Sequence, residues 1–401
     1  MIHGSAVARA LTFCLSLLFV LLTGCNVMPD RALSCPANEA VTTGFNGPPR
    51  VRFGCYPSST LGTFFVGENL GRHGYYYQPF EKDGIAYTCR GGDVDIIHLR
   101  IAADWTAYLA SETYRHLMRN DAGFSYKLAV DRSRSYVRLT YPPNWRQLPQ
   151  AERAAAAQEI ALAMGPYLTF TTTTWHEILT WFGFRCIGLP TEFPSAFSWE
   201  DSYSNLLGTV VAVQALQDKE HTYNRAVEFA IDRELKKLGI QPAYVARQAS
   251  QRVKGQWFTG SVLFFVDIKK RNFDIGLNDG FVTPTLLPGV APCQGAEPLS
   301  YPVPNLDALA RHGFAASLEI ESREWERDKI FRVLSKDPKV DRIHPTIDFP
   351  ILMDYLQKAA EKMYGPIADG AFHLAQRQPS PVVQQAGTAD APAVRAGQPQ
   401  H

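Results

Sequence analysis

A histidine next to a glutamate is the feature of this sequence that points most directly to chemistry. His176 and Glu177 lie in the stretch Trp175–Gly183, which we predict to be helical. Histidines four residues apart on one helix face can bind Zn²⁺ while a glutamate beside the first activates water. Here Thr180 occupies the position of the second histidine, so further ligands must come from elsewhere in the chain.

Other histidine and acidic side chains could complete such a site. His98 follows Asp95 by one helical turn and is our first candidate, and Glu200 and Asp201 come next. Three protein ligands and an open position for water are enough for a catalytic Zn²⁺. We therefore expect Zn²⁺ or another divalent metal to be bound by His98, His176, Asp201 and Glu200, with Glu177 as base or additional ligand.

These residues also have purely structural interpretations. His176 lies between Trp175 and Trp181 and could simply pack against the end of a helix. Asp201 follows Ser198 by three residues, which is the spacing of a capping box at a helix N-terminus. An acidic residue in a first helical turn is also favoured by the helix dipole.

The N-terminus predicts the location of the protein. Residues 1–24 have the pattern of a lipoprotein signal peptide, with Arg9 before a 13-residue apolar run over 10–22. This run is shorter than the roughly 20 residues of a membrane-spanning helix. The tetrapeptide Leu-Thr-Gly-Cys that ends at Cys25 resembles a bacterial lipobox, which implies cleavage before Cys25 and lipidation of its sulfur. Asn26, in place of an aspartate, favours the periplasmic face of the outer membrane.

Five cysteines remain after the signal peptide and the lipidated residue, and a periplasmic location permits disulfides. Cys35 and Cys55 are close in sequence and could pair, as could any two of Cys89, Cys186 and Cys293. Since five is odd, at least one thiol stays unpaired.

A reactive cysteine is an alternative chemistry. Cys89 opens the stretch Cys-Arg-Gly-Gly-Asp just before a predicted helix, where the pKa of a thiol is lowered. With His98 or His176 it could form a Cys/His-dependent envelope hydrolase site. A disulfide at Cys89 would exclude this hypothesis.

The composition limits the class of protein. Lys and Arg number 40 against 39 Asp and Glu, so the formal net charge is only +1. This balance argues against a nucleic-acid partner. The expected partners are therefore the membrane, through the lipid anchor, and an unknown envelope component or substrate.

The pattern of elements predicts an α+β fold, with helices packed on a modest, mostly antiparallel sheet. We expect a tether over 25–50, a single domain over 51–375 and a disordered tail over 376–401, which is rich in Gln, Pro, Ala and Gly. The predicted helices cover 95–119, 150–164 (ended by Gly165-Pro166), a segment after the Thr run 171–174 to about Gly183, 198–216, 218–238, 320–338 and 347–363, and the predicted strands lie within 124–141 and 257–268.

Two strings in the middle of the chain carry a resemblance to a known family. They are Trp-His-Glu-Ile-x-Thr-Trp-Phe-Gly at 175–183 and Ser-Trp-Glu-Asp-x-Tyr-Ser-Asn at 198–205, with 87–98 and 272–280 in support. Together they resemble a family of uncharacterised bacterial lipoproteins, over roughly 45–370. The resemblance implies a lipoprotein with one main domain and assigns no activity. The leading hypothesis is thus a metal-dependent envelope hydrolase, and the alternative is a non-catalytic lipoprotein that binds an envelope partner or ligand.

Overall fold

The helices over 96–119, 150–181 and 201–215 pack against one another and form the centre of the domain. The structure, a computed structural model, describes residues 30–52, 60, 62–65, 70–185, 190–260, 266–335 and 341–368. These residues all fall in one compact unit. The predicted signal peptide, Cys25 and the predicted tail lie outside the described residues.

Helices dominate the described part of the chain. The helices are α1 (Ala37–Thr43), α2 (Ile96–Arg119), α3 (Gln150–Trp181), α4 (Asp201–Ala215), α5 (Tyr223–Lys237), α6 (Ala243–Val253), α7 (Asp307–Arg311), α8 (Arg327–Leu334) and α9 (Pro345–Tyr364). The strands are β1 (Ile85–Thr88), β2 (Gly92–Asp95), β3 (Gly123–Tyr126), β4 (Arg134–Thr140), β5 (Phe258–Thr259), β6 (Asp267–Ile268), β7 (Phe281–Val282), β8 (Tyr301–Pro302), β9 (Ala315–Glu321) and β10 (Arg342–Ile343).

The sheets are small and antiparallel. The largest has the strand order β10-β9-β4-β3, and in its centre Val137 of β4 lies opposite Leu318 of β9. Alternate residues of β4 are buried, so one face of this sheet covers a core formed with α2 and α3. The predicted α+β class with a modest antiparallel sheet is confirmed.

Two glycines let α2 approach its neighbours closely. A Cβ atom on Gly208 of α4 would lie 2.3 Å from the Leu99 carbonyl oxygen of α2. A Cβ atom on Gly165 of α3 would lie 2.7 Å from the Thr106 carbonyl oxygen. Neither distance is sterically possible, so both positions require glycine. The first of these crossings lies beside His98.

The break predicted at Gly165-Pro166 is wrong, because α3 runs through both residues without interruption. A proline inside a helix costs about 3 kcal/mol, since it lacks an N–H and clashes with the preceding turn. Packing of Gly165 against α2 opposes that cost. In the Thr run that follows, Thr171 and Thr172 donate hydroxyl hydrogen bonds to carbonyls four residues back, so these hydroxyl groups are satisfied within the helix.

Three other segments differ from expectation. Strand β9 extends to Glu321, so within 320–335, the described part of the helix predicted over 320–338, only 327–334 is helical. The predicted single strand over 257–268 is replaced by an antiparallel pair, in which Phe258 faces Ile268. The segment predicted as a tether begins the packed domain by Asp30, since α1 contributes buried alanines and Phe45 stacks on Tyr75 with ring centroids 4.4 Å apart.

Among the described residues, no helix is both long enough and apolar enough to cross a bilayer.

Candidate metal centre

Three helices bring one histidine and two carboxylates together. His98 is the third residue of α2, Glu177 lies in the last turn and a half of α3, and Asp201 is the first residue of α4. One ligand atom from each side chain lies within 4.8 Å of the others. It is the only such group of three or more His, Cys, Asp or Glu side chains that the described residues contain.

The imidazole of His98 is surrounded by carboxylates that stand slightly beyond hydrogen-bonding distance. Its Nδ1 lies 3.4 Å from Asp95 Oδ2 and 3.7 Å from Asp201 Oδ1. Its Nε2 lies 3.9 Å from Glu177 Oε1. A metal ion would bind only one of the two ring nitrogens. With one ligand atom taken from each of His98, Glu177 and Asp201, the three atoms lie within 4.8 Å of one another, slightly wider than the roughly 3 to 4 Å between atoms that share an ion at bond lengths of about 2 Å.

Each carboxylate directs one oxygen at His98, and its second oxygen accepts a hydrogen bond from a backbone N–H. Asp95 caps α2, and its Oδ1 accepts hydrogen bonds from the first backbone amides of that helix. Glu177 Oε2 accepts one from the Phe197 N–H at 2.8 Å, and Asp201 Oδ2 accepts one from the Ser198 N–H, also at 2.8 Å. The remaining oxygens are the ones that face the imidazole. Ligands held in this way are preorganised for a metal.

The segment around residues 197 and 198, which supplies these two amides, is itself held by hydrogen bonds from residues 271 and 272. Arg271 is fully buried and donates hydrogen bonds to the carbonyl oxygens of Phe193 and Ala196. The neighbouring Asn272 N–H donates to the Phe197 carbonyl oxygen at 2.9 Å. Phe197 has a φ of 51°, in the left-handed region that non-glycine residues rarely adopt. The segment thus keeps an unfavourable conformation that points two adjacent amides at the carboxylates.

The electrostatics of the cluster favour a cation. Burial by itself would lower the pKa of His98, but the Asp201, Asp95 and Glu177 carboxylates outweigh burial and hold this pKa well above its ordinary value. Burial, together with the nearby Glu177, raises the pKa of Asp201 to about 8. One imidazole thus faces three carboxyl groups in a desolvated space. A buried excess of carboxylates is unfavourable unless it is protonated or paired with a cation.

His176 does not join this group. Its Nδ1 lies 2.7 Å from Asp131 Oδ1, and its ring packs edge-on against Phe184. Burial lowers the pKa of His176, but Asp131 outweighs this effect and raises the pKa to about 10. His176 is not among the side chains whose ligand atoms converge, although His176 and His98 line the same cavity.

Glu200, the other predicted ligand, is also outside the group. It is buried at the N-cap of α4. Burial and the adjacent Asp201 raise the pKa of Glu200 well above its ordinary value.

The capping box predicted for Ser198 and Asp201 is wrong, because α4 begins at Asp201 and its N-cap is Glu200. One hydrogen bond of that motif is present, from the Ser198 N–H to Asp201 Oδ2. The reciprocal bond is missing, since the Ser198 hydroxyl is buried with no hydrogen bond to another described residue. Because Asp201 Oδ1 faces His98 instead, the structural and functional interpretations of this residue are compatible.

A cavity of about 90 Å³ opens beside His98 and Glu177. Its walls are largely apolar, with Ile101 and Trp105 from α2 and Leu128 from the segment after β3. The cavity has room for water and for a small part of a substrate next to the cluster.

The cysteine hypothesis is wrong. Cys89 forms a disulfide with Cys293, so it has no thiolate to act as a nucleophile. This bond is one of the pairings that the sequence left open. Cys55 and Cys186 lie outside the described residues.

Some contributors to the site were not identified from the sequence. Asp95 was noted only as a neighbour of His98, and its type and position before a helix could have suggested the cap. Asp131 lies 45 residues before His176, in a segment that the sequence indicates only as a turn between strands. The backbone amides of Phe197 and Ser198 carry no sequence signal, because any residue supplies them.

Comparison with known proteins gives a family and no activity. No curated protein and no solved structure matches the chain. A family model described as a protein of unknown function, DUF4056, matches residues 71–279, a range that contains His98, Glu177 and Asp201. The matched range is narrower than the resemblance expected from the sequence, but it spans more than half of the chain. The chain therefore belongs to the DUF4056 family of proteins of unknown function.

Proposed function

We propose that the protein is a hydrolase that binds a divalent metal between His98, Glu177 and Asp201. The observation that carries the proposal is the convergence of these three ligand atoms within 4.8 Å from three different helices. Two features of the site add support. The second oxygen of each carboxylate is fixed by a backbone amide, and the cavity beside the cluster can admit a substrate.

The donor set narrows the choice of metal. One imidazole and two carboxylates suit first-row divalent ions such as Zn²⁺ or Mn²⁺ better than Ca²⁺, which prefers oxygen ligands alone. Asp95 acts as a positioning residue, since its Oδ2 stands 3.4 Å from His98 Nδ1 and can orient the imidazole. The bound ion would supply an activated water for attack on the substrate.

We further propose that the protein acts in the cell envelope, anchored through lipid on Cys25 to the periplasmic face of the outer membrane. The lipobox-like sequence supports the anchor. The Cys89–Cys293 disulfide supports an oxidising compartment. Replacement Cys25→Ala should move the protein from the membrane to the soluble fraction, and unchanged membrane retention would refute the anchor.

A non-catalytic lipoprotein that binds an envelope partner is the second candidate. The observation in its favour is the exposure of aromatic side chains: Phe80 (68%) and Phe229 (38%) line one surface groove, and Tyr77, near Phe80 in sequence, is 80% exposed. Exposed aromatic residues are enriched at protein interfaces. Such a protein would need no metal-dependent activity.

One experiment separates these functions. The full-length protein, stripped with a chelator and reloaded with Zn²⁺ or Mn²⁺, is assayed against p-nitrophenyl esters and N-acetylamino-acid p-nitroanilides. We expect hydrolysis only in the metal-loaded protein and a loss of at least about tenfold in Glu177→Gln. The exposed carboxylate variant Asp232→Asn serves as control and should keep full activity. Stoichiometric metal without hydrolysis would favour the binding protein, and absence of metal binding would overturn the metal centre.

A further inference from the structure

One polar side chain in the cavity has no partner. Asn205 lies on α4, one turn after Asp201, and lines the cavity beside His98 and Glu177. It is only 3% exposed, and no hydrogen bond joins its side-chain amide to another described residue. The amide atoms are not among the buried polar atoms that are shut off from the surroundings, so they are accessible from the cavity. The amide is therefore available to a ligand that enters the cavity.

The chemistry of this amide defines what it can recognise. A carboxamide offers one acceptor oxygen and two N–H donors. An amide in a ligand has the same pair of functions and can bind it reciprocally, and an ester carbonyl can accept from its N–H group. A metal cation would use only the oxygen and leave both donors unpaired.

The charges around the cavity do not favour an anionic ligand. Arg50 and Arg52 lie at its rim, but both guanidinium groups are bound by Glu81, and Arg52 also pairs with Asp104 at 2.7 Å. The imidazoles of His176 and His98 also face carboxylates, those of Asp131 and Asp95. Each of these basic side chains at the cavity thus already has a carboxylate partner, so none of them is left to pair with an anionic ligand.

The remaining walls favour an apolar substituent. Trp105 and Leu128 are buried, and Val130 and Phe184 complete an apolar surface opposite the cluster. A ligand with a short aliphatic group would bury it there, at about 25 cal/mol per Å² of apolar surface removed from water.

We propose that Asn205 binds and orients the reacting acyl group, and that the substrate is a small uncharged amide or ester with an aliphatic substituent. The assignment as substrate depends on the proposed hydrolase function, but binding of the acyl group to Asn205 does not require the metal. Asn205 is thus a substrate-binding residue, distinct from the metal ligands.

The test uses a matched pair of probes, neutral N-acetylvalinamide and anionic N-acetylvaline, with full-length protein kept metal-free by a chelator. Binding is followed by saturation-transfer NMR. We expect the neutral probe to bind at least about tenfold more tightly than the anion, and Asn205→Leu to weaken its binding by at least tenfold. Asn205→Asp keeps the shape of the side chain but loses both donors, and it should weaken binding as well. The exposed amide variant Gln251→Leu should bind like the wild type.

Several outcomes would overturn the proposal. Equal or tighter binding of the anion would contradict the neutral substrate class, and unchanged binding in Asn205→Leu and Asn205→Asp would contradict the role of this residue. A titration with Mn²⁺ is made on the same variants. If Asn205→Leu loses metal affinity, Asn205 is a ligand and not a substrate-binding residue. If the wild type binds the neutral probe but no metal, the hydrolase proposal fails while the acyl site stands.

Discussion

Replacing Asp201 by asparagine tests whether the carboxylate cluster binds a metal. In Asp201→Asn the side-chain oxygen can still accept the 2.8 Å hydrogen bond from the Ser198 N–H, so the start of α4 is retained. The variant loses the negative charge of the Asp201 carboxylate, whose Oδ1 lies 3.7 Å from His98 Nδ1 in the wild type. We therefore expect metal affinity to fall while the fold persists.

The size of the effect follows from binding linkage. A ligand present at 100 times its dissociation constant stabilises a protein by about 2.7 kcal/mol. If Asp201→Asn weakens binding about 100-fold, the same metal concentration stabilises the variant by only about 0.4 kcal/mol. Urea denaturation with and without Mn²⁺ or Zn²⁺ measures both differences. The exposed Asp232→Asn variant should keep the wild-type stabilisation.

In the metal-free protein, we expect Asp201→Asn to increase stability at higher pH instead of reducing it. The raised pKa values of Asp201 and His98 mean that the folded cluster holds protons more tightly than the unfolded chain. The contribution of this cluster to the stability of the metal-free protein should therefore fall as pH rises from about 4 to about 8, so Asp201→Asn should gain stability relative to the wild type over this range. Metal should reverse the trend, since it binds the deprotonated ligands. Equal metal stabilisation in wild type and variant, or a metal-free variant that gains no stability relative to the wild type over this pH range, would refute the reasoning.

Three further perturbations test the surroundings of the site. In Asp131→Asn, the pKa of His176 should fall from about 10 toward its ordinary value, because the carboxylate that stabilises the charged ring is lost. NMR titration measures this pKa, and a His176 ring still charged at pH 9 in the variant would contradict the ion pair. Removal of the disulfide in Cys89→Ser/Cys293→Ser should lower the free energy of unfolding by about 2–4 kcal/mol in a denaturation assay. The folded variant should still bind metal, and loss of metal binding would contradict a purely structural role of the disulfide. Gly208→Ala should lower the free energy of unfolding by roughly 1–3 kcal/mol, because its Cβ would meet a carbonyl oxygen of α2. It should also weaken metal binding in a calorimetric titration, and a variant as stable as the wild type would contradict this packing.

The parts of the fold that local pattern determines were predicted well. Helix α2 begins within one residue of the predicted start at Asp95, because an N-cap and a regular apolar spacing coincide there. The two strands within 124–141 form as expected around a polar turn. Helix α3 was divided in error because Gly165 and Pro166 are local helix breakers, whereas the close contact with α2 that keeps them helical is a tertiary property.

The site was predicted in part for a similar reason. Residue type identified His98, Glu177 and Asp201 as candidate groups, and the structure brings these three together. Helix geometry separates adjacent residues by about 100°, so Glu177 and His176 point in different directions on α3. Because Glu177 faces α2 and α4, the side chain of His176 points elsewhere, and its Nδ1 lies 2.7 Å from Asp131 Oδ1. Sequence adjacency had placed the two side chains in one ligand set, and only the packing of the helices shows which one faces the cluster.

Metal content is the most direct test of the central claim. Wild-type protein and the variant His98→Ala are reconstituted with Zn²⁺ or Mn²⁺, dialysed and analysed for metal by mass spectrometry, with His116→Ala as a control on the same helix. We predict about one ion per chain in the wild type and the control, and less than about a tenth of that in His98→Ala. A wild-type protein without stoichiometric metal, or a His98→Ala protein that retains it, would contradict the metal centre.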